Sequence, residues 1–395
     1  MILKYVFYPF AFFLLLLCFS GCKPKADAFI RDSQGTANEP VMRFTRQYSG
    51  TAGSADSGAA GEETTIKETH VSTVFELPVI GASGYAAIDL PLYLAPGEHA
   101  VIVDNVKAGQ GFTILDEVNG YWYITVNNSA GWIFNRLCMI NIPDVIPSIV
   151  HDNTNTYSSL FRSSKIEIPN VTGTALYNAK DFNRRLAREE FIAPVLYGMA
   201  EKLYNAQKAA LANGHTLIIY ESFRPHDAHQ IVFDNFTELI NKNAVVRQGV
   251  TSGWFTRNWF IAPAPYNHQR GSAVDISLGT VIDRITVTAG IYQYTHVARF
   301  SEFPMQSAMH ELSGASAIFT EPMLSSDNVR WRTATFLPNV TEGTKILFKY
   351  MTEALMSPLC SEWWHFNDLE ATELAIANNV LGKYQIEKSY SLPVN

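Results

Sequence analysis

The stretch APYNHQRGSAVDISL, residues 264–278, decides how this chain is read. From Ala273 onward its residues alternate. Val274, Ile276 and Leu278 fall on one face of an expected strand, and Ala273, Asp275 and Ser277 on the other. An aspartate is out of place in a strand that buries itself, because an unpaired carboxylate is very costly to take out of water. His268 lies seven positions earlier, across a turn at Gly271, and can swing onto the same side. A neutral imidazole and a carboxylate are two natural metal ligands. Taken alone, the pair is better read as a plain His–Asp hydrogen bond.

The stretch CSEWWHFND, residues 360–368, supplies what the first pair lacks. His365 completes a set of two histidines and one carboxylate, which leaves the fourth position of a tetrahedral ion open to water. Glu362 lies among Trp363, Trp364 and Phe366. Rings that exclude water raise the pKa of such a carboxylate toward that of a working base. By itself the stretch also reads as an aromatic core strand with a solvated glutamate. Residues three apart face opposite sides of an ideal strand, so one site for Glu362 and His365 demands a twist or a bulge.

A third stretch, YESFRPHDAHQ at residues 220–230, ends a buried strand at Arg224, just before a helix that starts with proline. A guanidinium there, beside a cleft, is placed to polarise a carbonyl and hold the oxyanion that forms from it. The plain alternative is an ion pair between domains. His226 and His229 offer a competing metal pair. With Asp227 between them, a solvated first helical turn is the favoured reading.

At 395 residues the chain has room for two or three domains and a substantial core. Its net charge of −7 offers no basic field, so no nucleic-acid partner is expected. The N-terminus, MILKYVFYPFAFFLLLLCFSGCKPK, carries Lys4, an apolar run and small residues ahead of Cys22, the pattern of a bacterial lipoprotein signal. Residues 1–21 are therefore expected to be a signal peptide. A lipidated Cys22 would anchor an extracytoplasmic body to a bacterial membrane, on the periplasmic side or the cell surface. An uncleaved span is the alternative. Residues 22–80, rich in Gly, Ala, Ser, Thr and Glu, read as a flexible tether. The remaining cysteines, Cys138 and Cys360, are far apart and read as buried thiols rather than a disulfide framework.

HAVIVDNV, GFTILDEV, GYWYITV and AGWIFNRL are β-rich runs divided by Lys107-Ala108-Gly109, Asn119-Gly120 and Asn127-Asn128. Short strands at this spacing close a small barrel. The run GYWYITV…AGWIF resembles bacterial SH3-like domains, a family that usually holds cell-wall peptide, and this module spans residues 81–143. A packing module without a ligand is the alternative. Residues 142–156 read as a Pro- and polar-rich linker. Beyond it, APVLYGMAEKLYNAQKAALANG reads as a helix with Val195, Leu196, Met199, Leu203 and Ala206 on one face and Gly214 as its stop. HTLIIYESF reads as a buried strand and TKILFKYMTEAL as a second long helix. The expected fold is an α+β body, a mixed sheet with helices over residues 157–390, preceded by a small all-β barrel.

In chain order, NVTG at 170–173, SFRP at 222–225, NHQRGSAVD at 267–275 and SEWWHF at 361–366 resemble the motifs of the VanX-type D-alanyl-D-alanine dipeptidases, zinc peptidases of the cell wall. The resemblance covers about residues 160–370. It implies one zinc per chain on His268, Asp275 and His365, with Glu362 as general base and acid and Arg224 as a clamp on the transition state. The implied reaction is hydrolysis of D-Ala-D-Ala-type bonds, in the free dipeptide or in peptidoglycan peptides. One alternative is a D,D-carboxypeptidase or endopeptidase acting on longer stem peptides. Another is a non-catalytic peptidoglycan-binding lipoprotein, against which the retained base Glu362 argues. The chain departs from the family at three positions. Tyr266 stands where the family has a serine, His310 where it carries the acid that holds the dipeptide's free amine, and Lys165 where it carries a tyrosine. Loss of both recognisers of an ammonium points to a substrate blocked at its amino end, with Glu302 and Glu311 close enough in sequence to replace the acid.

Overall fold

The computed structural model describes residues 74–323 and 330–394. The expected signal peptide, Cys22 and the tether up to residue 73 lie outside the described residues. Among the described residues no helix is long and apolar enough to cross a membrane. The content is mixed α/β: two large sheets, two short two-stranded ones, and helices packed against them.

The first large sheet is antiparallel and has eight strands. Tyr121–Val126 lies between Gly111–Val118 and Ser129–Phe134. The hairpin turns follow from residue type. Asn119 and Gly120 have φ of 50° and 82°, and Asn127 and Asn128 have 48° and 69°. A type I′ two-residue hairpin requires positive φ at both central positions, which Asn and Gly tolerate. Trp122, Ile124, Ile133 and Phe112 fill the inner face.

Two expectations change here. Residues 142–156 are not a loose linker, since every residue from Asn141 to Ile149 is buried, and Val150–His151 forms a parallel edge strand of the second sheet. The apolar spacing of Ile142, Val145, Ile146 and Ile149 outweighs the prolines. The helix expected from Ala193 starts at Tyr197 and runs to Ala212. Pro194–Leu196 instead pairs as an edge strand with Cys138–Asn141. A β-branched valine after a proline suits a strand edge, and helical periodicity begins only with Met199, Ala200, Leu203, Ala206 and Ala210, all buried. Of the expected tether, Phe75 and Leu77 are buried.

The second large sheet positions the site. Its order is Ser357–Leu359, Glu362–Asn367, Ala273–Ala289, His215–Glu221, Val150–His151, with Tyr292–Glu302 pairing the far half of Ala273–Ala289. Helices Tyr197–Ala212 and Glu342–Glu353 pack against each other, the first also against strand His215–Glu221. Leu347, Tyr350 and Met351 of the latter are buried, while Ile346 is half-buried. One continuous apolar core joins both sheets, from Phe112 and Trp122 to Leu217, Val274 and Ile276. The chain's end closes over the first sheet, where the Tyr384 hydroxyl donates to Ala87 O at 3.1 Å and Leu392 N to Gly81 O at 2.8 Å.

Candidate metal centre

Three adjacent strands bring one polar residue each to the same level of the second sheet. Glu221 lies opposite Asp275, and Asp275 opposite His365. Two irregularities make this alignment. A register shift between Ile219 and Glu221 turns Glu221 inward. In the other, Pro358 pairs with Phe366 but Leu359 with Glu362, so Trp363 to His365 leave the ladder. That is the bulge required for Glu362 and His365 to reach one pocket. His268 arrives from the turn before the aspartate strand. Gly271 has φ of 69° there, and a side chain would meet Met139 Sδ at 2.7 Å.

His268 Nε2, His365 Nδ1 and Asp275 Oδ1 form a nearly equilateral triangle, with separations of 3.1, 3.0 and 3.1 Å. Their proton inventory decides what it can hold. His268 Nδ1–H donates to Ser222 O at 2.7 Å, and His365 Nε2–H to Asn367 Oδ1 at 2.9 Å. Each ring has therefore committed its proton outward and turns a lone pair toward the other and toward the carboxylate. Three acceptors converge with no donor between them, and only a cation relieves that repulsion. The spacing is close to the roughly 3.3 Å edge of a tetrahedron with ligand bonds of about 2.0 Å. These buried residues can hold a metal ion.

Electrostatics support the same assignment. Burial alone would raise the Asp275 carboxyl, but the three imidazoles packed around it, His268, His310 and His365, hold it well below the usual range. Burial lowers His365, against the pull of Asp275, and so keeps its lone pair free. A second trio, Glu221, Asp275 and His310, is also compact, but the guanidinium of Arg224 already bridges Glu221 and Asp275.

Arg224 is fixed on every side. Its Nε donates to Glu221 Oε2 at 2.7 Å, its Nη2 to the same oxygen and to Asp275 Oδ2 at 3.4 Å, and its Nη1 to His229 Nδ1 at 3.2 Å. One Nη1 proton is left over. Glu221 is held in turn by Asn155 Nδ2 and the Tyr177 hydroxyl, each at 2.7 Å. Burial, then the nearby Arg224 charge, pushes His229 down to about 3, which keeps it a neutral acceptor.

Arg224, His268, Asp275, His365 and Glu362 all line one pocket of about 200 Å³, walled by Phe161, Trp259, Phe260, Leu359 and Trp364. Glu362 is buried, stands 3.9 Å from His365 Nδ1 and accepts no hydrogen bond from the described residues. Burial, then repulsion from Asp275, pushes its carboxyl well above the ordinary carboxylate range, against the pull of Arg224.

The structure thus brings together all five residues singled out in the sequence and separates the competing pair. His226 is half-buried beside Asp227. His229 is a buried support for Arg224, with Nε2–H donating to Ala262 O at 2.8 Å. Its spacing from Val232 and Phe236, both buried, was the available signal. His310 is fully buried behind Asp275, stacked on Phe161 at 4.2 Å and donating to Asp275 Oδ2 at 3.1 Å, so it faces the carboxylate and does not line the pocket. Lys165 is exposed and does not line the pocket either. Glu221, Ser222 and Asn367, which orient the site, were not singled out. A glutamate three residues before Arg224 in a buried strand was the sign of the first. Cys138 and Cys360 are free and buried. No family model matches the chain, and no curated protein matches it.

Proposed function

We propose that this protein is a zinc metallopeptidase that hydrolyses D-Ala-D-Ala-type bonds in cell-wall peptides. The observation that carries the reading is Glu362, a buried carboxylate that accepts no hydrogen bond from the described residues, beside a converging two-histidine, one-carboxylate donor set. Two imidazoles and a carboxylate suit zinc and leave a position open, as catalytic sites require. Bound zinc supplies Lewis acidity and lowers the pKa of water. Glu362 accepts the proton of the attacking water and then returns it to the departing amine. The remaining Nη1 proton of Arg224 hydrogen-bonds the oxyanion, in a position held by Glu221 and His229. Trp259, Phe260 and Trp364 exclude bulk water, which strengthens both interactions.

The lipoprotein signal and the SH3-like likeness of residues 81–143 support a place in the cell envelope, with lipid on Cys22 holding the enzyme extracytoplasmically. The test is incubation of the full chain, in detergent, with D-Ala-D-Ala and with muropeptides, with and without a chelator. Chelator-sensitive cleavage next to D-Ala is expected. A zinc-loaded protein that cleaves neither substrate refutes the reading.

A further inference from the structure

On the peptidase reading above, we propose that the site takes a substrate whose amino side is acylated, a residue within a longer peptide, in preference to one with a free ammonium group next to the scissile bond. The inference rests on where the carboxylates near the pocket spend their oxygens. Among the described residues, Asp275 and Glu362 are the acids that line the pocket. Asp275 turns Oδ1 to the two histidines, and its Oδ2 accepts from His310 and Arg224. Glu362 is the base and must stay free to take a proton.

The acids behind the pocket are committed as well. Glu221 accepts from Asn155 and Tyr177 on one oxygen and from Arg224 on the other. Glu311 is buried, with Ser313 Oγ at 2.6 Å and Ser164 N on Oε1 and Lys165 N at 3.0 Å on Oε2, so it holds a turn and is not available to a ligand. Glu302 is exposed and accepts from Tyr220 OH at 2.9 Å. It pairs with Gly279, four residues along the strand from Asp275, roughly 13 Å away at strand rise.

Among the described residues, the fixed charge at the pocket beyond its two acids is that of Arg224. Ring faces offer an ammonium a weaker hold than an anion does, and that of Phe161 is already taken by Arg224 at 5.0 Å, which leaves those of Trp259, Phe260 and Trp364. A desolvated ammonium would therefore meet a guanidinium and walls that are apolar or neutral, Asn258, Tyr266 and Gln269 among them, with no uncommitted anion to offset its lost hydration. An acyl-amide carries no charge and suits walls of Phe161, Phe260 and Leu359.

The test uses the full zinc-loaded chain with D-Ala-D-Ala and N-acetyl-D-Ala-D-Ala. It compares kcat/KM on the native protein and Kd by calorimetry on Glu362→Gln, whose turnover is expected to be slow enough for binding to be read. A preference of tenfold or more for the acetylated peptide in both readouts is expected, carried by KM. A free-amine peptide bound and cleaved as well as the acetylated one overturns this inference and leaves the peptidase reading standing. Failure of both peptides to bind or be cleaved overturns the two together.

Discussion

In the strand Tyr121–Val126 of the first sheet, buried Trp122, Ile124 and Val126 alternate with Tyr121, Tyr123 and Thr125, which reach solvent. In Glu362–Asn367 of the second sheet all six residues are buried, three of them polar. The first is a half-buried strand, and its polar face needs nothing but water. The second has no water to satisfy its polar groups, so each needs a partner from the protein. His365 Nε2 and Asn367 Oδ1 have theirs, in each other. Among the described residues Glu362 accepts no hydrogen bond. A carboxylate left unmatched in a buried strand is where chemistry is to be sought.

The comparison breaks first at the metal donors. His268→Ala and His365→Ala are expected to take metal occupancy from one ion per chain to near zero and to abolish hydrolysis, measured by elemental analysis and a peptide assay. Full occupancy in both variants would mean that the converging lone pairs are held by something else. Glu362→Gln should keep the metal and lose about 10²–10⁴ in rate, because an amide cannot accept the proton of water. Arg224→Lys should lose about 10² or more, since a single ammonium cannot serve Glu221, Asp275, His229 and an oxyanion at once. Near-native rates in either variant would make that residue structural.

The contrast sharpens in the first sheet. Trp122→Ala should cost about 3–5 kcal/mol of stability through the cavity it leaves, read by denaturant titration, with metal content of the folded protein unchanged. Loss of metal from a folded Trp122→Ala protein would show that the sheets are coupled at the site.

The smallest effect lies at Glu76. Burial pushes its carboxyl up to about 7, against hydrogen bonds from Ser148, whose carbonyl in turn accepts from Gln207. The folded value lies above the unfolded one of 4.5, so the unfolded chain loses its proton first. This contribution to stability is full below about pH 4.5 and is lost as pH rises toward 7. Glu76→Gln should flatten that part of the Tm-against-pH curve, and an unchanged slope would remove Glu76 as its source.

Residue type and spacing, legible in the sequence, pointed to the two-histidine, one-carboxylate set, the hairpin turns at Asn119-Gly120 and Asn127-Asn128, and a buried strand through Asp275. These are local properties. A period of two assigns faces, and Asn or Gly at φ > 0 assigns turns. The same rules misplaced the start of the helix at Tyr197 and read residues 142–156 as a linker, because apolar residues in a short segment do not reveal which distant strand they will join.

What the sequence determined by itself was therefore the chemical inventory. Tertiary structure alone decided its use. Asp275 meets His365 only through strand register, and Glu362 shares their pocket only through a bulge opposite Leu359. The proton positions that leave three acceptors facing one another depend on Ser222, 46 residues from His268, and on Asn367, two residues beyond His365 on the same strand. The register of Asp275 against His365 and the tautomer of His268 are set by pairing between segments far apart in the chain, and no short window of sequence contains both partners.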